Sequence, residues 1–138
     1  MPGWNSKNNS ESSFCVPIRQ KVMSYAEVCL LKAEAALRGW NGAGDAKANY
    51  LAGIKASFEA ERAMVSDASL YSTANDNTYM TTGKVEWKGD ADFETHLEQI
   101  ITQKWLALYP NGTEAWTEFR RTGYPKLTPV KVSMESTI

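Results

Sequence analysis

The sequence has few of the residues that most catalytic and metal sites require. Two cysteines and one histidine occur among its 138 residues. Cys15 and Cys29 do not form a CxxC pair, and two thiols with one imidazole cannot complete a tetrahedral zinc site without carboxylates. A serine or cysteine nucleophile has no identifiable partner, because His96 is the only histidine. The glycine-rich phosphate motifs GxGxxG and GxxxxGK[ST] are also absent. We therefore expect no cofactor and no bound metal.

The sequence also has no excess of one charge and no long apolar run. Its 15 basic and 16 acidic residues nearly cancel, and the basic ones are scattered. Such a balance gives no general attraction for nucleic acid or for an acidic membrane. The longest apolar stretches are interrupted by Lys32, Glu34 or Lys104, and none approaches the ~20 residues that span a bilayer. Residues 1–13 are polar and lack the features of a secretory signal.

The sequence does carry helical periodicity. Ser24 begins a first helix predicted at about 24–38, with Glu27 at the capping-box position, and Gly39 ends it. The apolar residues of this helix recur on one face: Tyr25, Val28, Cys29, Ala33, Ala36, Leu37 and Trp40. Cys29 is interpreted as a small buried hydrophobic residue, and a disulfide with Cys15 is left open.

A second helix is predicted at about 45–62, capped by Asp45. The glycine-rich turn before it is short, so the two helices should form an antiparallel hairpin. Small residues at Ala33, Ala36 and Gly53 suit the close packing of a tetratricopeptide-like pair.

Two further helices are predicted at about 92–108 and 113–121. Between them and the hairpin, residues 66–90 are interpreted as a long loop with one helical turn near Leu70 and Tyr71, and loops of this length are usually functional. The predicted fold class is all-α: a tetratricopeptide-like hairpin plus two helices joined by a long loop. We divide the chain into a polar loop segment (1–22), a helical domain (23–126) and an extended tail (127–138).

The aromatic residues fall into two groups. Those on helical stripes are predicted to be core residues: Tyr25, Trp105, Trp116 and Phe119. Those in loop-like sequence are Trp4, Tyr71, Tyr79 and Trp87. Exposed Trp and Tyr rings stack on the C–H faces of sugars. Trp87 and Tyr79 are the candidate ligand-binding residues, although each could instead anchor the loop.

The remaining polar candidates have structural interpretations. His96 is expected to be a packing or surface residue. Nothing selects any carboxylate pair for glycoside hydrolysis, so we favour helix caps and solvated faces. Arg120 and Arg121 could bind an anionic ligand, but we favour ion pairs with carboxylates such as Glu114, Glu118 or Glu34, which would tie helices together.

Several segments together resemble the SusD/RagB family of nutrient-binding surface lipoproteins of Bacteroidetes. They are residues 23–40 (MSYAEVCLLKAEAALRGW), 50–57, 100–105 (IITQKW), 114–116 and 120–125 (RRTGYP). The segments occur in the family's order, and the region from 23 to 125 that they span is about three-quarters of the chain. The resemblance implies a SusD-like α/α superhelix built from tetratricopeptide-like pairs, and it implies no catalysis.

The resemblance also implies partners and a location. Family members capture a glycan, an oligosaccharide or another nutrient and cover a SusC-like TonB-dependent transporter at the outer membrane. They are anchored by a lipidated N-terminal cysteine, which is missing from this sequence. Members are several times longer, so we expect a fragment, the C-terminal portion. No binding residue transfers by motif. The alternative is a tetratricopeptide-like protein-interaction module with no ligand site of its own; a hydrolase is disfavoured.

Overall fold

The chain folds into helices that stack around one apolar core. A computed structural model describes residues 22–64 and 72–128, which contain five helices and no strand. The helices are α1 (Tyr25–Leu37), α2 (Ala46–Arg62), α3 (Asp76–Met80), α4 (Phe93–Ala107) and α5 (Gly112–Thr122). The all-α prediction, a hairpin with two further helices, is therefore confirmed. The helical turn predicted near Leu70 and Tyr71 lies outside the described residues, as do Trp4 and Cys15.

Side-chain caps begin the four longer helices. In each, an oxygen of the capping side chain accepts a hydrogen bond from the main-chain N–H three residues later, which satisfies a donor that the helix itself leaves unpaired. The caps are Ser24, Asp45, Asp92 and Asn111. At the opposite end of α5, Gly123 takes the left-handed conformation with φ of 75°, which glycine adopts without a steric cost.

Helices α1 and α2 form the predicted hairpin and contribute most of the core. The fully buried cluster comprises Leu30, Ala33, Tyr50, Ile54 and Ile100. Gly53 lets the two helices approach closely, since a Cβ there would lie 2.5 Å from Leu30 Cγ and 3.3 Å from the Ala26 carbonyl oxygen. Cys29 is a buried free thiol, as its place on the inner face of α1 predicted.

Helix α5 is held to the bundle by buried charges. Lys104 of α4 is 1% exposed, and its Nζ lies 3.0 Å from Glu118 Oε1 of α5. Arg121 bonds the second Glu118 oxygen at 2.7 Å and both carboxylate oxygens of Glu34 in α1, each at 2.7 Å. Two carboxylates and their cationic partners thus join α1, α4 and α5, and the paired arrangement offsets the cost of burying each charge. The ion-pair interpretation of Arg121 agrees with these contacts.

This network corrects the prediction that Trp116 lies in the core. Trp116 is 57% exposed, whereas Glu118 is buried. The sequence pattern predicts that the side of α5 with Trp116 faces the core. The ion pairs of Glu118 and Arg121 instead turn Glu118 inward and leave Trp116 exposed. Trp116 instead stacks on Phe119, which is half-buried, with ring centroids 5.4 Å apart.

The outer ends of the α1 stripe are also more exposed than predicted. Tyr25 is 72% and Trp40 67% exposed, because Tyr25 is the first residue of α1 and Trp40 lies beyond its last residue, Leu37. Trp105 is half-buried. Within the two described stretches, no helix combines the length and apolar character needed to cross a membrane.

Gly53→Ala should destabilise the fold by roughly 1–3 kcal/mol, because the added methyl group overpacks the α1–α2 contact. Gly112→Ala is the matched control: it is also helical, and a Cβ there meets no atom within 4 Å. That control should be neutral or stabilising by up to about 1 kcal/mol. Urea unfolding of both variants measures the difference, and equal stabilities would contradict the close approach at Gly53.

Glu34→Gln should reduce the dependence of stability on acid pH. Burial raises the pKa of Glu34, but hydrogen bonds from Arg121 and Arg38 outweigh it, so the pKa lies below its ordinary value of 4.5. A lowered pKa contributes stability that is fully present above 4.5 and is lost as pH falls through the folded-state value. The glutamine variant lacks this contribution, so it should be less stable at neutral pH and its stability should fall less steeply in acid.

Glu98→Gln is the control for this change. Its carboxylate lies 3.6 Å from Lys126 Nζ in an exposed pair, and exposed pairs contribute little. Thermal unfolding across acid and neutral pH compares the two variants. If the stability of Glu34→Gln falls with decreasing pH as steeply as that of the wild type, the Glu34 carboxylate is not the source of this pH dependence.

Candidate functional site

A row of buried polar side chains on α4 faces the segment that connects α3 to α4. The row comprises His96, Gln99 and Gln103, all less than a tenth exposed. Their spacing of three and four residues places them on one side of the helix. Because buried polar groups require partners, the row must be paired with something that covers it. The partners are supplied by residues 79–88.

Two members of the row bind main-chain carbonyls of this segment. Gln99 Nε2 donates to the carbonyl oxygens of Lys84 at 3.0 Å and Glu86 at 2.6 Å. His96 Nε2 lies 2.6 Å from the Lys88 carbonyl oxygen. Since a carbonyl only accepts, Nε2 of His96 must carry the proton. These bonds hold the main chain before and after Trp87.

Helix α2 adds a third attachment. The Tyr50 hydroxyl donates to the Val85 carbonyl oxygen at 2.8 Å, while the Tyr50 ring lies in the core. Burial, and to a smaller extent Tyr79, raises the pKa of Tyr50 well above its ordinary value of 10.0. The phenol therefore stays protonated and remains a donor.

Trp87 packs against two of the side chains just described, His96 and Tyr50. Its ring stacks nearly parallel on His96, with centroids 4.2 Å apart and an angle of 6°. It also meets Tyr50 at 5.2 Å in a tilted arrangement. Trp87 is half-buried and packs against the core cluster, so its ring is held at a defined angle while part of it reaches solvent. His96 is a packing residue, as one of its two interpretations stated.

Tyr79 lies on α3, a five-residue helix within the predicted loop. Its hydroxyl bonds Gln103 Oε1 at 3.2 Å, and its ring meets Phe58 edge-on at 5.3 Å. The side chains of Arg62 and Asp76 form an ion pair between α2 and α3. Tertiary contacts therefore stabilise a helix that the Asn- and Thr-rich sequence does not favour, which is why it was predicted as loop.

An open groove of about 610 Å³ lies between the second half of α2 and α3, and neither Tyr79 nor Trp87 is among its lining residues. Its lining residues carry both charges as well as hydroxyl and amide groups: Lys55, Glu59, Arg62, Ala63, Thr73, Asp76, Asn77 and Met80. Such a surface can both donate and accept hydrogen bonds. Among residues 22–64 and 72–128, no group of three metal-ligating side chains comes together.

Phe58 and Tyr50, which contact Tyr79 and Trp87 respectively, are eight residues apart on α2. At 1.5 Å per residue this corresponds to about 12 Å along the helix axis. The two sequence-predicted site residues therefore pack against different aromatic side chains of the same helix, α2.

Sequence reasoning missed the residues that hold the segment in place. Gln99, Gln103 and Tyr50 carry no motif. A signal was present, however, because polar residues at 96, 99 and 103 share a face with buried Ile100. Polar groups on an inward helix face, next to a long loop in the sequence, indicate that the loop covers that face.

The helical hairpin and its appended helices define a tetratricopeptide-like scaffold protein. Residues 4–137 match the model of the SusD-like family, described as Susd and RagB outer membrane lipoprotein. The chain belongs to this family. No curated protein matches it.

Solved structures of family members share the fold. The Bacteroidetes AC2a SusD-like protein is 38% identical with a TM-score of 0.67, over 79% of this chain and 21% of its own. A chitin-binding SusD homolog from Flavobacterium johnsoniae is 45% identical with a TM-score of 0.60, over 77% and 25%. A SusD-like protein from Bacteroides thetaiotaomicron is 36% identical with a TM-score of 0.63, over 86% and 28%. The chain thus spans between a fifth and a third of the length of these relatives.

Tyr50→Phe should destabilise the protein by roughly 0.5–1.5 kcal/mol at neutral pH, because the Val85 carbonyl loses its donor. The raised pKa of Tyr50 contributes stability that is present below 10.0 and is lost as pH rises through the folded-state value. The variant should therefore lose less stability in alkali than the wild type. Urea unfolding at neutral and alkaline pH tests both effects, with exposed Tyr109→Phe as the control. If Tyr50→Phe and the wild type lose the same stability as pH rises, the Tyr50 hydroxyl does not contribute to the alkaline pH dependence.

Proposed function

We propose that this chain is part of a protein that binds a glycan or another nutrient, without catalysis, at the surface of a Bacteroidetes-type outer membrane. The observation that carries the proposal is the family match over residues 4–137. The relative from Flavobacterium johnsoniae is chitin-binding, which makes chitin oligosaccharides the first ligands to test. The finer part of the proposal is that a SusC-like TonB-dependent transporter is the partner and that a lipid anchor holds the full-length protein.

Trp87 and Tyr79 are the proposed ligand-binding residues. Both side chains contact α4: the Trp87 ring stacks on His96, and the Tyr79 hydroxyl donates a hydrogen bond to Gln103. Preorganised aromatic rings bind at a lower entropic cost than mobile ones.

The groove between α2 and α3 supports the same ligand class. Its lining includes Lys55 and Arg62 as well as Glu59 and Asp76, so it has no excess of either charge. Each sugar hydroxyl both donates and accepts hydrogen bonds, which matches a lining of Lys55, Asp76 and Asn77. A neutral polyhydroxylated ligand fits this surface best.

The second candidate function is a protein-interaction module. The observation in its favour is the exposure of large apolar side chains away from the proposed site: Trp40, Tyr109 and Trp116. Exposed apolar surface of this kind often marks a contact with another protein. On this reading, the chain contacts the transporter and has no ligand site of its own.

Trp87→Ala should weaken binding to a chitin tetrasaccharide by about tenfold or more, because an aromatic hot spot commonly contributes more than about 1–2 kcal/mol. Tyr79→Ala should weaken it by a smaller factor. Trp116→Ala is the matched control, since it removes an exposed tryptophan from α5 and should leave affinity unchanged. Calorimetry with a panel of oligosaccharides measures the affinities, and circular dichroism checks helicity.

The panel also separates the two candidate functions. Binding that survives Trp87→Ala and Tyr79→Ala would move the site elsewhere. Absence of binding to every saccharide, together with capture of the transporter, would favour the interaction module. Turnover of a saccharide would contradict both.

A further inference from the structure

We infer that Gln99 is a positioning residue, which sets the orientation of Trp87 by holding the main chain that carries it. Its relevance to ligand binding rests on the function proposed above, but the positioning itself does not. Gln99 lies on α4, is only 7% exposed, and is not among the residues that line the groove.

The geometry gives Gln99 one orientation. Its amide nitrogen lies 3.0 Å from the Lys84 carbonyl oxygen and 2.6 Å from that of Glu86, so both amide hydrogens are used. A reversed amide would set Oε1 against two carbonyl oxygens, which repel it. A neutral side chain that reaches two acceptors at once must carry an NH₂ group, and glutamine provides it.

The amide oxygen of Gln99 indicates that the side chain does more than fill space. Gln99 Oε1 is buried and has no hydrogen-bond partner among the described residues. A buried unpaired acceptor is unfavourable, and an apolar side chain of equal length would avoid it. What the apolar side chain could not do is satisfy the carbonyls of Lys84 and Glu86.

The segment around Trp87 depends on such side-chain bonds. Its main-chain bond from Glu86 N–H to the Thr82 carbonyl is long, at 3.3 Å. By contrast, side chains of α2 and α4 bind the carbonyls of four of the five residues 84–88, omitting only Trp87 itself. Gln99 supplies two of these bonds from one group, so its removal should release the segment more than loss of any other single contact.

The sole histidine provides a specific readout. His96 lies against the Trp87 face at 4.2 Å, so the ring current of the indole should shift the imidazole proton resonances upfield. In Gln99→Met, which keeps the side-chain length and removes both donors, these resonances should move toward the positions of an unstacked histidine. Glu98→Gln, the neighbouring residue with an exposed carboxylate, should leave them unchanged. Retention of the upfield shift in folded Gln99→Met would overturn the inference.

A measurement on the wild-type chain covers the case in which Gln99→Met does not fold. The side-chain amide protons of Gln99 should exchange with solvent much more slowly than those of an exposed glutamine, since both are hydrogen-bonded and buried. Rapid exchange of these protons in the native protein would contradict the proposed attachment, and slow exchange supports it.

Affinity then connects the position of Trp87 to the proposed function. If Gln99→Met leaves the segment correctly placed only one-tenth of the time, the apparent Kd for the chitin tetrasaccharide should rise about tenfold. An unchanged Kd alongside lost stacking would overturn the role of Gln99 in ligand binding. If the native chain binds no saccharide, the proposed function is wrong, while the His96 resonances still decide whether Gln99 positions Trp87.

Discussion

The orientation of α4 is the constraint on which the rest of the structure depends. Its inner face places Ile100 in the core of the α1–α2 hairpin. One flank carries Lys104, which is buried against Glu118 of α5. The other carries Gln99, which binds the segment around Trp87. Because all three faces are occupied, a rotation of α4 would break buried polar contacts on both flanks and disturb the core.

The charged contacts explain an arrangement that apolar patterning alone would not produce. Helix α5 turns Glu118 inward and leaves Trp116 exposed, since a buried carboxylate without a cation would be far more costly than an exposed indole. Arg121 bridges Glu118 and Glu34, so α5 is attached to α1 as well as to α4. The ion pairs of Glu118 and Arg121, rather than the burial of apolar surface, therefore determine the orientation of α5.

The proposed site follows the same principle. The segment 84–88 is attached through its carbonyl groups to side chains of α2 and α4. Its aromatic residue, Trp87, also stacks on His96 of α4. The proposed binding of a ligand is favoured by aromatic surfaces that are already in place when the ligand arrives. The polar row of α4 and the hydroxyl of Tyr50 hold the segment around Trp87 in place.

The sequence by itself determined the four longer helices, since caps such as Ser24 and Asp45 and stops such as Gly39 are local features that act within one turn. It also identified the family and the segment that carries Trp87 and Tyr79. Only the tertiary structure decided which faces are buried. Trp116 was placed wrongly, and α3 and Gln99 were missed, because their environments are set by partners distant in the sequence, namely Glu34, Phe58 and the carbonyls of Lys84 and Glu86. Periodicity reports that a helix has two faces, whereas the pairing of buried charges and amides selects the one that turns inward.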